Sequence, residues 1–184
     1  MNRCKWADET KLDYLEYHDN EWGVPIYEDN VFFEFLVLES AQAGLSWYTI
    51  LKRRDGYRDA FAGFDPLKVS QFDGAMVEAL LQNSRIIRHR AKIEAAINNA
   101  QRFLEIQKEF GSFSDYVWAF VGNQPISNRT VGDSPPATTS ESDRLFKDLK
   151  KRGFKFLGST TVYAFMQATG LVDDHDIDCF KREN

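Results

Sequence analysis

Two cysteines occur in the 184 residues, and each lies near a histidine: Cys4-x13-His18 toward one end of the chain and His175-x3-Cys179 toward the other. Thiolate sulfur and neutral imidazole nitrogen are ligands that zinc favours, and four of them in a closed tetrahedron leave no open position for chemistry. Taken as one set, Cys4, His18, His175 and Cys179 predict one structural zinc ion clasping the two ends. The competing reading makes the cysteines ordinary small buried residues, or a single disulfide, with the histidines unrelated. A disulfide is disfavoured because Met1 to Trp6 carries charge and lacks the apolar stretch of a secretory signal.

Glu39 is the second residue whose position suggests chemistry. On a helix it shares a face with Leu36, Phe35 and Phe32, so a carboxylate is aimed where apolar groups go. Burying a carboxylate is costly unless something pairs with it. Either a neighbouring backbone or hydroxyl group satisfies it structurally, or it waits for a ligand. Trp6, Tyr14, Tyr17, Trp22 and Trp47 crowd flat rings into the same part of the chain. Such a cluster is core packing unless something else marks it as a wall.

The elements that must position these residues read as helices almost throughout. Apolar residues recur at three and four positions in 29–53, 73–83, 89–107, 141–151 and 159–169, and strand-like alternation is scarce. Asp65 followed by Pro66 predicts a helix start, Ser140 and Glu141 another, and Gly111 and Gly170 predict stops. The loop-rich stretch 122–140 holds three of the five prolines and reads as a surface connection within one domain. Between the last two helices, Lys151 to Ser159 forms a short turn with Gly153 and Gly158 near its ends. Unpaired amides at the following helix start, with nearby lysines, could hold a phosphate. An ordinary packing corner capped by glycine is the other reading.

Hydrophobic residues make up 43% of the chain and aromatic residues 14%, enough for one well-filled core and too much for disorder. No apolar run approaches the ~20 residues needed to cross a bilayer. A soluble, cytoplasmic protein with no membrane role and no evident obligate protein partner is the expectation. The formal net charge of -5 argues mildly against nucleic acid as a partner. Basic clusters at Lys52 to Arg54, Arg85 to Lys92 and Lys147 to Lys155 could overrule that total locally, although solvated helix faces explain them equally.

Five separated segments then give the chain a family likeness. Arg3-Cys4-x-Trp6, Tyr17 to Pro25 (YHDNEWGVP), Gln42 to Trp47 (QAGLSW), Ile86 to Arg90 (IIRHR) and Lys150 to Phe156 (KKRGFKF) resemble, in order and over essentially the whole chain, the Tag-type 3-methyladenine DNA glycosylase I family. The resemblance implies an all-α fold of the helix-hairpin-helix DNA glycosylase type, one domain over residues 1–184, with a structural zinc joining the termini. It implies double-stranded DNA carrying alkylated bases as the partner and hydrolysis of the N-glycosidic bond of N3-methyladenine as the activity.

Carried over position by position, the resemblance places Glu39 and Tyr17 at the damaged base as hydrogen-bonding groups. Trp47, with Trp22 and Trp6, would line the pocket. Gln42, Gly44 and Leu45 would approach the DNA, with Leu45 as an apolar wedge in the gap left by the extruded nucleotide. Lys151, Gly153 and Gly158 would grip the backbone. The superfamily's catalytic aspartate falls near Asp173 or Asp174, but His175 beside them is assigned to zinc, so no dedicated aspartate base is expected. Some relatives have glycine where this chain carries Arg85 and Ala91. A rival from another class is a zinc-clasped DNA-binding scaffold that performs no reaction; it has no need of a carboxylate facing an aromatic cavity. A zinc hydrolase is disfavoured because protein would fill all four metal positions.

Overall fold

The structure, a computed structural model, describes residues 1–127 and 135–182. Its helices in chain order are α1 (Leu12–Asn20), α2 (Asp29–Gln42), α3 (Trp47–Leu51), α4 (Arg54–Ala60), α5 (Pro66–Val69), α6 (Gly74–Gln82), α7 (Arg90–Phe110), α8 (Phe113–Trp118), α9 (Ser140–Lys151) and α10 (Ser159–Ala168). Among the described residues, the strand-like features reduce to a single parallel bridge between Ile126 and Val172. The fold is all-α, and the helices share one hydrophobic core. None of the described helices is long and apolar enough to cross a membrane.

The axis of this core is α2. Phe32 to Ala41 are buried without interruption, so the helix is enclosed on every side rather than amphipathic. It packs against α3, α7, α8 and α10. Because all its faces are buried, the shared face of Glu39 and Leu36 does not distinguish that carboxylate from its neighbours. Asp29 in the first turn accepts hydrogen bonds from the Phe113 and Ser114 backbone N–H groups at 2.8 and 2.9 Å and from the Gln107 amide at 2.6 Å. An acid on one helix thereby satisfies the opening donors of another.

Most helix boundaries fall where the sequence puts them. Asp65 caps α5, accepting from the Leu67 and Lys68 amides with Pro66 at the first position, and Asp73 caps α6. Gly111 at φ 92° ends α7. Gly170 follows α10 at φ 69°, and an added Cβ would stand 2.3 Å from the Pro25 backbone nitrogen, so the stop is also a close crossing. Thr139, not Ser140, caps α9, through a reciprocal box with Ser142.

The periodic segment 29–53 is not one helix. Ala43 leaves helical geometry at ψ 117° and Gly44 adopts φ 82°, a left-handed conformation that suits glycine. Ser46 then restarts the chain by capping α3, accepting from the Thr49 amide at 3.2 Å. The apolar spacing survives this break because residues on both sides face the same core. Part of the predicted loop 122–140 lies outside the described residues.

Candidate active site and metal centre

Glu39 sits in the last turn of α2, 4% exposed. No hydrogen-bond partner for its side chain exists among the described residues, which removes the structural explanation considered from sequence. Burial pushes its carboxyl up to about 8 from an ordinary 4.5, because desolvation disfavours the charged form. Its place at a helix C-terminus, where the dipole repels an anion, acts in the same direction. At neutral pH the carboxyl of the free site is therefore mostly protonated.

Aromatic side chains surround this end of α2. The Tyr17 ring on α1 lies 5.6 Å from Trp47, and Trp47 stacks at 6.4 Å on Phe35. Trp47 is the first residue of α3, which Ser46 caps. Its indole Nε1 is buried and unpartnered, as is the Ser40 hydroxyl. Trp6 stands 6.3 Å from Tyr17, 5.0 Å from Tyr14 and 4.9 Å from Trp22. The Tyr17 phenol is raised well above its usual value, by burial first and by the Glu39 charge second. Tyr14 is raised as well, by burial first, then by the charges of Asp8 and Glu39. Buried donors without partners, flat ring faces and one near-neutral carboxyl thus occupy one neighbourhood.

At the termini, Cys4, His18 and Cys179 form a buried group whose ligand atoms lie within 4.8 Å of one another. Both cysteines are free thiols, so the disulfide alternative falls. This group can hold a metal ion. His175 lies outside that close set, yet its ring centroid is 5.4 Å from that of His18, and its Nε2 is a buried atom with no partner. Both histidines are oriented the same way. His18 Nδ1 meets Asp19 Oδ1 at 2.8 Å and His175 Nδ1 meets Asp173 Oδ1 at 2.7 Å, which places the proton on Nδ1 and the lone pair on Nε2. Arg3 in turn binds Asp19 at 2.8 and 2.7 Å. Thiol sulfurs and an imidazole nitrogen with its second nitrogen held by a carboxylate are donors of the kind that zinc takes.

Sequence reasoning missed Asp19 as an orienting group, although a carboxylate next to a ligand histidine was a readable signal. Asp173 was considered as a displaced catalytic residue, whereas it serves His175. Asp174 is buried and accepts from Tyr163 and from Gln167. Both aspartates are thus engaged by neighbouring side chains.

The turn after α2 presents Leu45, 37% exposed, with Gly44 behind it. The Leu45 amide donates to the Gln42 carbonyl at 2.7 Å, and the Gln42 side-chain amide returns to the Leu45 carbonyl at 2.5 Å. Gln42 therefore stiffens the turn. At the other candidate surface, α9 and α10 form a helix-hairpin-helix. Gly153 turns the chain at φ 88°, and Gly158 precedes α10 with no capping side chain. Two asparagines of α7 brace the hairpin: Asn98 donates to the Gly153 carbonyl at 2.9 Å, and Asn99 bonds both backbone groups of Lys155. Lys151 is exposed.

The basic clusters are only partly solvated surface. Arg54 pairs with Glu21 and Glu34, Arg85 with Asp59, Arg90 with Glu78, and Arg152 with Glu109 and Asp148. Among the described residues, Arg88, Lys147, Lys151 and Lys155 have no carboxylate partner. Ala91 is exposed in the first turn of α7.

Residues 6–182 match the sequence profile of the methyladenine glycosylase family. The chain belongs to this family. It is 50% identical over 180 residues to DNA-3-methyladenine glycosylase 1 of Escherichia coli (strain K12), spanning 97% of this chain and 96% of that one. A DNA-3-methyladenine glycosylase of Haemophilus influenzae is likewise 50% identical over 179 residues, with 96% of each chain covered. A crystal structure of 3-methyladenine DNA glycosylase I superposes with a TM-score of 0.95 at 49% identity, covering 99% of this chain and 100% of the other. The 3-methyladenine DNA glycosylase I of Staphylococcus aureus, solved to explain 3-methyladenine recognition, gives 0.94 at 40% identity, covering 100% and 99%.

Proposed function

We propose that the chain is a monofunctional DNA-3-methyladenine glycosylase, a single domain that extracts N3-methylated adenine from duplex DNA and hydrolyses its N-glycosidic bond. The observation that carries this reading is the unpartnered, buried Glu39 beside Tyr17 and Trp47, in a chain of this family. Adenine methylated at N3 within DNA is a cation. An opposite charge entering the site favours the carboxylate form, and electron-rich ring faces of Trp47, Trp6 and Tyr17 attract the same charge. Neutral adenine offers nothing to offset the desolvated carboxylate, so the pocket discriminates by charge more than by shape.

The base must leave the stack to reach this pocket. Once there, its positive charge already makes it a leaving group. The bond between the sugar carbon and the purine breaks, the electron pair neutralises the purine, and a water molecule adds to the oxocarbenium-like carbon and loses a proton. A general acid, normally half of the carboxylate pair in glycoside hydrolysis, has little to do. Glu39 and Tyr17 hold and orient the base through this step, and the products are free base and an abasic site. Leu45 fills the vacated space in the duplex, while Lys151 and the hairpin from Gly153 to Gly158 hold the backbone.

Cys4, His18 and Cys179, with the unpartnered Nε2 of His175, would hold a structural zinc ion at the termini. When bound, such an ion would supply folding energy and no chemistry of its own. The two free thiols fit a reducing compartment such as the cytoplasm. The test is release of 3-methyladenine from methylated duplex DNA by the wild type and by Glu39→Gln. Release by the wild type and its loss in the variant supports the reading. No release by the wild type favours a scaffold that only binds DNA, and equal release by both removes Glu39 from the site.

A further inference from the structure

Lys92 is the one member of the second basic cluster that turns inward. Its Nζ donates to the Ala41 carbonyl at 2.8 Å and to the Ala43 carbonyl at 2.6 Å. These are terminal carbonyls of α2, which lack intrahelical partners, and α2 carries no basic residue in its own last turn. A cation borrowed from the first turn of α7 therefore closes the helix that bears Glu39. Its side chain lines a small cavity together with Val37, Ala41 and Ile93.

The same ammonium stands 5.8 Å from the Phe156 ring centroid. Phe156 is the exposed tip of the hairpin, held at φ 58°, a left-handed conformation that is strained for an aromatic residue. His89, the residue that caps α7, sets its ring edge-on to Phe156 at 5.7 Å. Three elements meet at the Lys92 side chain: the last turn of α2 with Glu39, the Ala43 to Ser46 turn with Leu45, and the hairpin. Among the described residues Lys92 has no carboxylate partner, so its charge is committed to this junction.

We infer that Lys92 is a positioning residue for base extraction, fixing the Leu45 turn and the hairpin tip relative to the pocket so that wedge, backbone grip and base site engage one nucleotide together. This inference rests on the glycosylase reading above. Misplacing groups by about an ångström can cost on the order of a hundredfold in rate. The loss should appear in extraction from duplex DNA and not in the pocket's own affinity, because Lys92 touches neither Glu39 nor the rings that wall the base site.

Lys92→Met keeps the stem and removes the charge; Lys92→Arg keeps a cation. Three quantities separate the roles: tryptophan fluorescence quenching by free 3-methyladenine, affinity for undamaged duplex, and single-turnover excision from methylated duplex at saturating enzyme. For Lys92→Met, base binding and undamaged-duplex affinity should stay within about twofold of wild type while excision falls about tenfold to a hundredfold, with partial rescue in Lys92→Arg. If Lys92→Met does not fold, Lys92→Gln takes its place. Excision at the wild-type rate, or loss of base binding and excision in equal proportion, overturns the role of Lys92. An inactive wild type would instead overturn the glycosylase reading itself.

Discussion

Gly23 lies so close to His175 that a Cβ on it would stand 2.5 Å from the imidazole Cε1, and its φ of 77° is left-handed as well. The ring of the candidate fourth ligand is seated against bare backbone. Gly23→Ala should therefore push His175 from its place and strain the turn, with the left-handed penalty alone roughly 1–2 kcal/mol. In a chain of this size each kcal/mol is worth about 2–4 °C in melting temperature. The expected result is a lower melting temperature together with weaker metal retention, measured by calorimetry and by elemental analysis after dialysis.

Removing the metal should act on the termini before it acts on the base pocket. The Lys5 amide donates to Asp176 at 2.8 Å and the Phe180 amide to the Asn2 carbonyl at 2.9 Å, two short ties that cannot replace a metal centre contributing several kcal/mol. Chelation, or Cys4→Ala or Cys179→Ala, should lower thermal stability and raise proteolysis at the ends, with affinity for free 3-methyladenine less affected. Wild-type protein purified without stoichiometric zinc would return these residues to ordinary packing.

The sequence made some of this legible and concealed the rest for physical reasons. Cys4, His18 and Cys179 could be grouped by type alone, whereas His175 lies outside that close set, and Asp65 and Gly111 mark helix ends through local chemistry that survives any tertiary setting. Glu39 could be suspected from its apolar neighbours, but α2 is buried on all sides, so periodicity could not say which face meets a cavity. The break at Ala43 and Gly44 was hidden because Val37, Ile50 and the residues between keep helical spacing across a turn. Lys92 looked like one more surface charge, since only the fold brings it to the end of α2. Local rules find caps and ligand types; long-range partners need the structure.

Glu39 should leave a signature in the pH dependence of stability. Its folded carboxyl titrates at about 8 against an ordinary 4.5, so the native state holds this proton more tightly than the unfolded chain does. Its contribution to stability is complete below about pH 4.5 and is lost as pH rises toward 8. At roughly 1.4 kcal/mol for each tenfold difference in proton affinity between the two states, the effect is on the order of several kcal/mol. Glu39→Gln, with no proton to release, should lack this decline and be the more stable protein at alkaline pH. Denaturant titrations at about pH 5 and about pH 8.5, one on each side of the folded titration, measure it; parallel behaviour of both proteins would show that Glu39 is solvated.

Leu45→Ala separates extraction from recognition. Leu45 is 37% exposed and contributes little to the core, so stability should change by less than about 0.5 kcal/mol. A smaller side chain fills the gap in the duplex poorly, and excision from paired DNA should fall more than excision from a single strand, where no stack needs to be held open. Equal losses on both substrates would assign Leu45 some other contact.

The hairpin should be read by salt. Lys151 and Lys155 are exposed and lack carboxylate partners among the described residues, whereas Arg152 is committed to Glu109 and Asp148 at 2.7 Å each. Within the hairpin, the two lysines are therefore the cations available to release counterions from DNA. Replacing one of them with alanine should weaken binding to any duplex sequence and make the slope of log affinity against log salt shallower by about 1, because one phosphate contact disappears. Arg152→Ala should lower stability instead, with the slope unchanged. Affinity titrations between low and moderate salt on undamaged duplex distinguish the two, and a full salt slope in both lysine variants would place the DNA on another face of the molecule.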